Sequence, residues 1–146
     1  MGFQADMRAA AVAMLEAYGT ASSLKLQVYP ARPRSIAPPT AFVDGLSETL
    51  ANLQGSVNVA QRTVTANVIV LWTDDLDSKQ AANQKDAFVD GFVAYVLSVP
   101  HQAGANTLIW PASIEDLPDF VPEWQPPAEQ KTYYATRIEL EGYAQG

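Results

Sequence analysis

His101 is the only histidine in the chain, and it follows Pro100 at the end of a helical pattern. A histidine acting as general base needs an orienting partner and a nucleophile within hydrogen-bond reach. No Gly-x-Ser-x-Gly segment occurs and there is no cysteine, so His101 reads as a loop residue rather than part of a triad. Asp74, Asp75 and Asp77 form the densest acidic cluster. A calcium loop would need alternating acidic ligands, a glycine turn and a closing glutamate. Here the alternation stops at Ser78 and Lys79 and no glycine follows, so the aspartates read as the acidic start of a helix.

Glu139 and Glu141 sit two apart in an alternating stretch that also carries Tyr133 and Arg137. Paired carboxylates do acid–base work when burial separates their pKa values. A polar strand face explains this pair more simply. The glycines build no phosphate cradle: no lysine follows Gly104-Ala105-Asn106-Thr107, and Gly91 lies inside a helical pattern. Arg32, Arg34, Arg62 and Arg137 are scattered, which suits carboxylates on a neighbouring acidic surface better than a nucleic-acid track. Trp72, Trp110 and Trp124 read as core or interface anchors. Trp124, among prolines, is the best interface candidate of the three, with Arg32, Arg34 and Arg137 as further interface residues.

The elements that hold these residues follow from periodicity. Phe3, Met7, Ala10, Ala11, Met14, Leu15 and Tyr18 make one helical stripe, with Gly19 as its expected stop. Leu24, Leu26 and Val28 alternate with polar neighbours as a strand. Tyr29–Pro39 then carries Pro30, Pro33, Pro38 and Pro39 around Arg32 and Arg34. Each proline fixes φ and removes a donor, so this stretch is a stiff loop outside any sheet interior. A second strand spans about Ala41–Leu46, and Gly55-Ser56 turns into a long return strand, about Val57–Thr73. Val64, Ala66, Val68, Val70 and Trp72 share one face of it. Ile69 and Leu71 on the other face predict that its end is covered on both sides.

A helix from Ser78 to Val99 carries Ala81, Ala82, Phe88, Val89, Phe92, Val93 and Val96, interrupted by Lys85, whose stem lies over the stripe's edge. A short strand, Thr107–Pro111, precedes a second irregular arm, Leu117–Gln130, with Pro118, Pro122, Pro126 and Pro127. Tyr133–Tyr143 closes the chain as a strand. The order α-β-β-β-α-β-β predicts a two-layer α+β fold: a mixed or antiparallel sheet of about five strands with two main helices packed on it.

The chain of 146 residues carries a net charge of −7, and residues 1–146 are expected to form one domain. A chain of this length buries about 68–70% of its unfolded surface, so it needs no staples. Charged residues at 17% leave a lean surface, which suggests coverage by partners. Without cysteine, neither disulfides nor thiolate metal sites can form. No run of 18 apolar residues suggests a membrane helix, and Met1–Asp6 lacks the basic start of a signal peptide. The acidic balance argues against binding nucleic acid through phosphates.

The whole layout resembles a known family. An N-terminal helix leads into Val28-Tyr29-Pro30 and a basic proline loop. Ala66-Asn67-Val68-Ile69-Val70-Leu71 runs into an acidic turn and a long amphipathic helix. The chain closes on Tyr133-Tyr134-Ala135-Thr136-Arg137-Ile138-Glu139-Leu140-Glu141-Gly142. From roughly Asp6 to Tyr143 this is similar to the tail terminator (tail completion, head–tail joining) proteins of long-tailed bacteriophages and prophages. The likeness lies in element order and phrases, so it carries roles to segments, not to single residues.

The resemblance implies a non-catalytic protein without a cofactor. Its copies would form a ring, commonly a hexamer, at the head-proximal end of the virion tail after assembly in the host cytoplasm. Such a ring caps the tail tube protein, stops its polymerisation, and offers a surface to the head connector protein, with no role for a membrane. DNA passes through the centre without specific binding. Ring closure needs unlike patches that meet, which acidic faces with isolated arginines can supply. Six copies at −7 each carry −42, which favours passage of DNA over adhesion. Asp74, Asp75, Glu139 and Glu141 are the lumen candidates. Two alternatives stand beside this reading: another neck, head-completion or minor tail protein, and a small enzyme or ligand-binding domain using Asp74, Asp75, His101 or the glutamates.

Overall fold

The computed structural model describes residues 2–22, 24–52, 60–98 and 108–145. Helix α1, Phe3–Ala21, is followed by strands β1 (Gln27–Tyr29), β2 (Thr40–Asn52) and β3 (Ala60–Thr73). Helix α2, Lys79–Ser98, precedes β4 (Leu108–Phe120) and β5 (Tyr133–Gln145), with a single 3₁₀ turn at Pro127–Glu129 between them. The strands form one mixed sheet in the order β1-β2-β3-β5-β4. This is the α+β arrangement that the periodicity predicts, with both helices on one face.

The apolar stripes explain that layering. Phe3, Met7, Ala10, Ala11, Met14 and Leu15 of α1 are buried against the sheet, mainly over β2, β3 and β1. Ala81, Phe88, Phe92 and Val96 of α2 are buried in the same core, with α2 over β4 and β3. Val64, Ala66, Val68, Val70 and Trp72 line the helix-facing side of β3, and Ile138 and Leu140 that of β5. The indole N–H of Trp72 would be costly to bury unpaired, and it donates to Thr136 Oγ1 at 3.1 Å. Where the helices meet, Tyr18 sits among Phe88, Phe92 and Tyr95. Gly91 lets it do so, because a Cβ there would collide with the Tyr18 hydroxyl.

Several boundaries differ from the sequence-based expectation. Gly19 does not stop α1, which continues to Ala21. A Cβ at Gly19 would sit 3.4 Å from Leu26 Cβ, an ordinary van der Waals contact, so the position would accommodate a side chain and the helix runs through it. The first strand pairs only over Gln27–Tyr29, in parallel with Thr40–Phe42. Parallel neighbours need a returning connection, and the proline loop supplies it. The cap of α2 is Ser78, whose Oγ accepts the Ala81 N–H at 3.1 Å. The aspartates shape the preceding turn instead, Asp75 Oδ1 accepting the Asp77 N–H at 3.2 Å.

The largest difference is β4. It runs through Pro111 to Phe120 rather than ending near the first proline. Both Pro111 and Pro118 are tolerated because β4 is an edge strand, and the register shifts lie beside them. Leu117–Phe120 therefore belongs to the sheet, and the irregular arm begins after it. The turn at Gly55-Ser56, His101 and the expected helix ending at Pro100 and Gly104 lie outside the described residues.

Candidate functional site on the second face of the sheet

Strand alternation sends every second residue of β2–β5 to the face opposite the helices. That face has two halves. One end is apolar: Phe42, Ile69, Leu71, Tyr133 and Ala135 are buried there beneath Tyr29, Ile36, Leu117, Phe120 and Trp124. Both proline-rich segments contribute to this cover, so Ile69 and Leu71 are enclosed on both sides as their sequence predicts. Tyr133, read from sequence as part of a solvated polar face, is only 4% exposed because the arm lies over it. That burial raises its phenol pKa.

The two arms are tied to each other by side chain-to-backbone bonds. Trp124 Nε1 donates to the Pro33 carbonyl at 2.9 Å, and Gln125 Nε2 donates to the Arg34 carbonyl at 3.0 Å. The Trp124 ring meets Phe42 edge-on at 5.3 Å between centroids. Arg32 lies over the same ring, 5.0 Å from its centroid, while its Nε donates to Asp44 at 2.7 Å. That ion pair raises the guanidinium pKa further. Trp124 and Arg32, expected as contacts for another subunit, are thus already engaged within the chain. Arg34 is exposed and forms no ion pair among the described residues.

The other half of the face is polar. Register sets Ser47, Thr65, Glu141 and Trp110 in one row across β2, β3, β5 and β4. Gly45, Asn67, Glu139 and Ser113 form the next row. Phe42, Ile69, Arg137 and Glu115 follow at the border with the apolar half. Arg137 NH2 donates to Glu115 Oε1 across the strand pair. Tyr143 donates its hydroxyl to Glu141 Oε2 at 2.6 Å, a bond that together with partial burial raises the phenol pKa. Trp110, 46% exposed, packs edge-on against Tyr143 at 5.2 Å. No helix or arm among the described residues covers this half.

Glu139 and Glu141 therefore share a face, as expected, and Arg137 stands beside them. Asp74 and Asp75 do not join them. Both are exposed in the turn before α2, where Asp74 is 3.5 Å from Lys131. Sequence reasoning missed Glu115 as a member of this face, because ending the fourth strand at Pro111 removes it from the sheet; Trp110 fell within that expected strand but was not assigned to a face. Gln125 as a tie between the arms has no sequence signal at all.

The helix side holds its own ion pairs. Arg62 Nε and NH2 donate to Glu48 at 2.5 and 3.0 Å, and Gln4 Nε2 of α1 donates to the same carboxylate at 2.8 Å. These bonds, Arg62 first, hold the Glu48 pKa down at about 2. Lys85 is mostly buried and contacts Asp86 at 2.8 Å and Asp116 at 3.2 Å, which raise its pKa well above the usual lysine range despite burial. Such groups staple helices to strands; they do not converge on a cleft. Among the described residues, no group of three or more His, Asp or Glu could hold a metal, and no helix is long and apolar enough to cross a membrane. No family model matches the chain, and no curated protein does.

Proposed function

We propose that the chain is a structural ring subunit of the tail terminator kind, working by shape and charge rather than by bond-making. The observation that carries this reading is the uncovered half of the second sheet face. It is broad, set by four strands, and built from Thr, Ser and Asn with Glu115, Glu139 and Glu141 against a single paired arginine. A hydroxyl-rich surface with excess carboxylate attracts no phosphate, so a DNA duplex beside it would slide without sticking. In this reading Glu139 and Glu141 face the lumen. Asp74 and Asp75, exposed in the turn before α2, are the lumen candidates of a different surface. Arg32 and Trp124 hold the arm in shape, leaving Arg34 to reach a neighbour and Arg137 to reach one only by leaving Glu115.

The partners of such a ring are further copies of the chain, the tail tube protein and the head connector protein. The cellular place is the assembling virion tail. Adding the purified chain to polymerising tail tube protein tests it. Tubes should stop growing with one capped end, and unchanged tube lengths over a range of added chain would reject it.

A further inference from the structure

Between the two proline arms lies an open recess of about 370 Å³, lined by Arg34, Gln125, Glu129, Lys131 and Tyr133 among others. A second recess of about 260 Å³ shares Arg34, Gln125 and Glu129 with it and is walled by Trp124. We propose that this recess is a carboxylate-binding site whose occupant is an acidic side chain of a second copy of this chain. The proposal rests on the ring reading for its occupant, but not for its chemistry.

Three observations support it. The walls are fixed: Trp124 and Gln125 bond to the Pro33 and Arg34 carbonyls, and Gln130 Nε2 donates to the Gln125 carbonyl at 2.9 Å. The backbone that carries Arg34 is thereby tied to the Trp124 arm, and fewer backbone degrees of freedom are lost when a partner arrives. Next, Arg34 makes no ion pair among the described residues, unlike Arg32 two positions before it. Its planar fork matches a carboxylate in two-point geometry. Lys131 adds a second cation whose contact to Asp74 is a 3.5 Å one between exposed groups, and Glu129 is the one carboxylate in the lining.

The last is charge complementarity. The chain has 16 acidic and 9 basic residues. Exposed Asp77, Asp90 and Asp119 form no ion pair among the described residues. A second copy therefore offers carboxylates in excess.

The test titrates the ¹⁵N-labelled full chain with succinate and, separately, with inorganic phosphate, following the Trp124 indole and Gln125 side-chain amide signals. Assembly of the same variants is read by light scattering. Saturable shifts with succinate are expected, weakened about tenfold or more in Arg34→Gln and strengthened in Glu129→Gln. Arg34→Gln should also weaken assembly while leaving the thermal midpoint unchanged. Shifts that do not saturate, or phosphate binding tighter than succinate, overturn the carboxylate assignment even if rings form. Saturable succinate binding with assembly unaffected by Arg34→Gln overturns the second copy as occupant. A wild-type chain that binds succinate but never assembles removes the ring and its occupant together, and leaves the recess chemistry standing.

Discussion

Trp124 donates its indole N–H to the carbonyl of Pro33 at 2.9 Å, across 91 positions of sequence. That bond joins the two proline-rich arms and closes the apolar half of the second sheet face. Trp124→Ala should destabilise the chain by about 2–4 kcal/mol, through lost packing on Phe42 and an unpaired Pro33 carbonyl. Trp124→Phe keeps most of the packing and should cost about 1 kcal/mol. Urea unfolding followed by circular dichroism measures both. An unchanged stability in Trp124→Phe would show that the hydrogen bond adds nothing, and equal losses in the two variants would show that the packing adds nothing.

The Glu48 carboxylate predicts a pH response. Its pKa is about 2 in the folded chain, below the usual glutamate value of about 4.3 in the unfolded one. A depressed folded pKa means stability that is present above about pH 4.3 and lost as the pH falls toward 2. The thermal midpoint should decline across that window, and less steeply in Glu48→Gln. Added salt should shrink the difference, since the Arg62 partner is partly exposed.

Gly91 and Tyr18 should be coupled. Gly91→Ala places a methyl group against the Tyr18 hydroxyl, on a ring held by Phe88, Phe92 and Tyr95. The expected cost is about 1–3 kcal/mol. In a Tyr18→Ala background the same substitution should cost little, or gain slightly from helix propensity. A double-mutant cycle by chemical unfolding checks this, and additive losses would contradict the contact.

Periodicity carried most of this fold. Strict alternation in Val64–Trp72 and the repeat from Ala81 to Val96 fixed which faces meet, because each buried face is specified many times over. The helix boundary at Gly19 was misread because a glycine in an ordinary helical conformation does not end a helix, and α1 runs two residues past it. Pro111 hid nine further residues of β4, since proline forbids a central strand but not an edge one. Glu139 and Glu141 were legible as a pair on one face. The inward fold of Trp124 was not, because its hydrogen-bond partner is a backbone carbonyl of another segment and leaves no mark on residue type.

On the proposed function, the open polar half of the sheet is the surface where added charge should change affinity for DNA. Glu139→Lys with Glu141→Lys moves the chain from −7 to −3, two charges for each substitution. Both residues are part-exposed on the uncovered face, so stability should change by less than about 1 kcal/mol, including the lost Tyr143 bond. Affinity for duplex DNA, read by fluorescence anisotropy, should rise about tenfold over the wild-type chain and fall again with salt. Lysines at Glu16 and Asp90 on the helices make the control, and equal gains there would remove the special role of this face.

The central claim is that the molecule acts as one wedge of a closed annulus. Light scattering on size-separated chain, alone and after incubation with tail tubes, measures it most directly. A particle of about 95 kDa, six times the 15.8 kDa chain, is expected in at least one of the two conditions. A mass of 15.8 kDa in both, at every concentration, would contradict it.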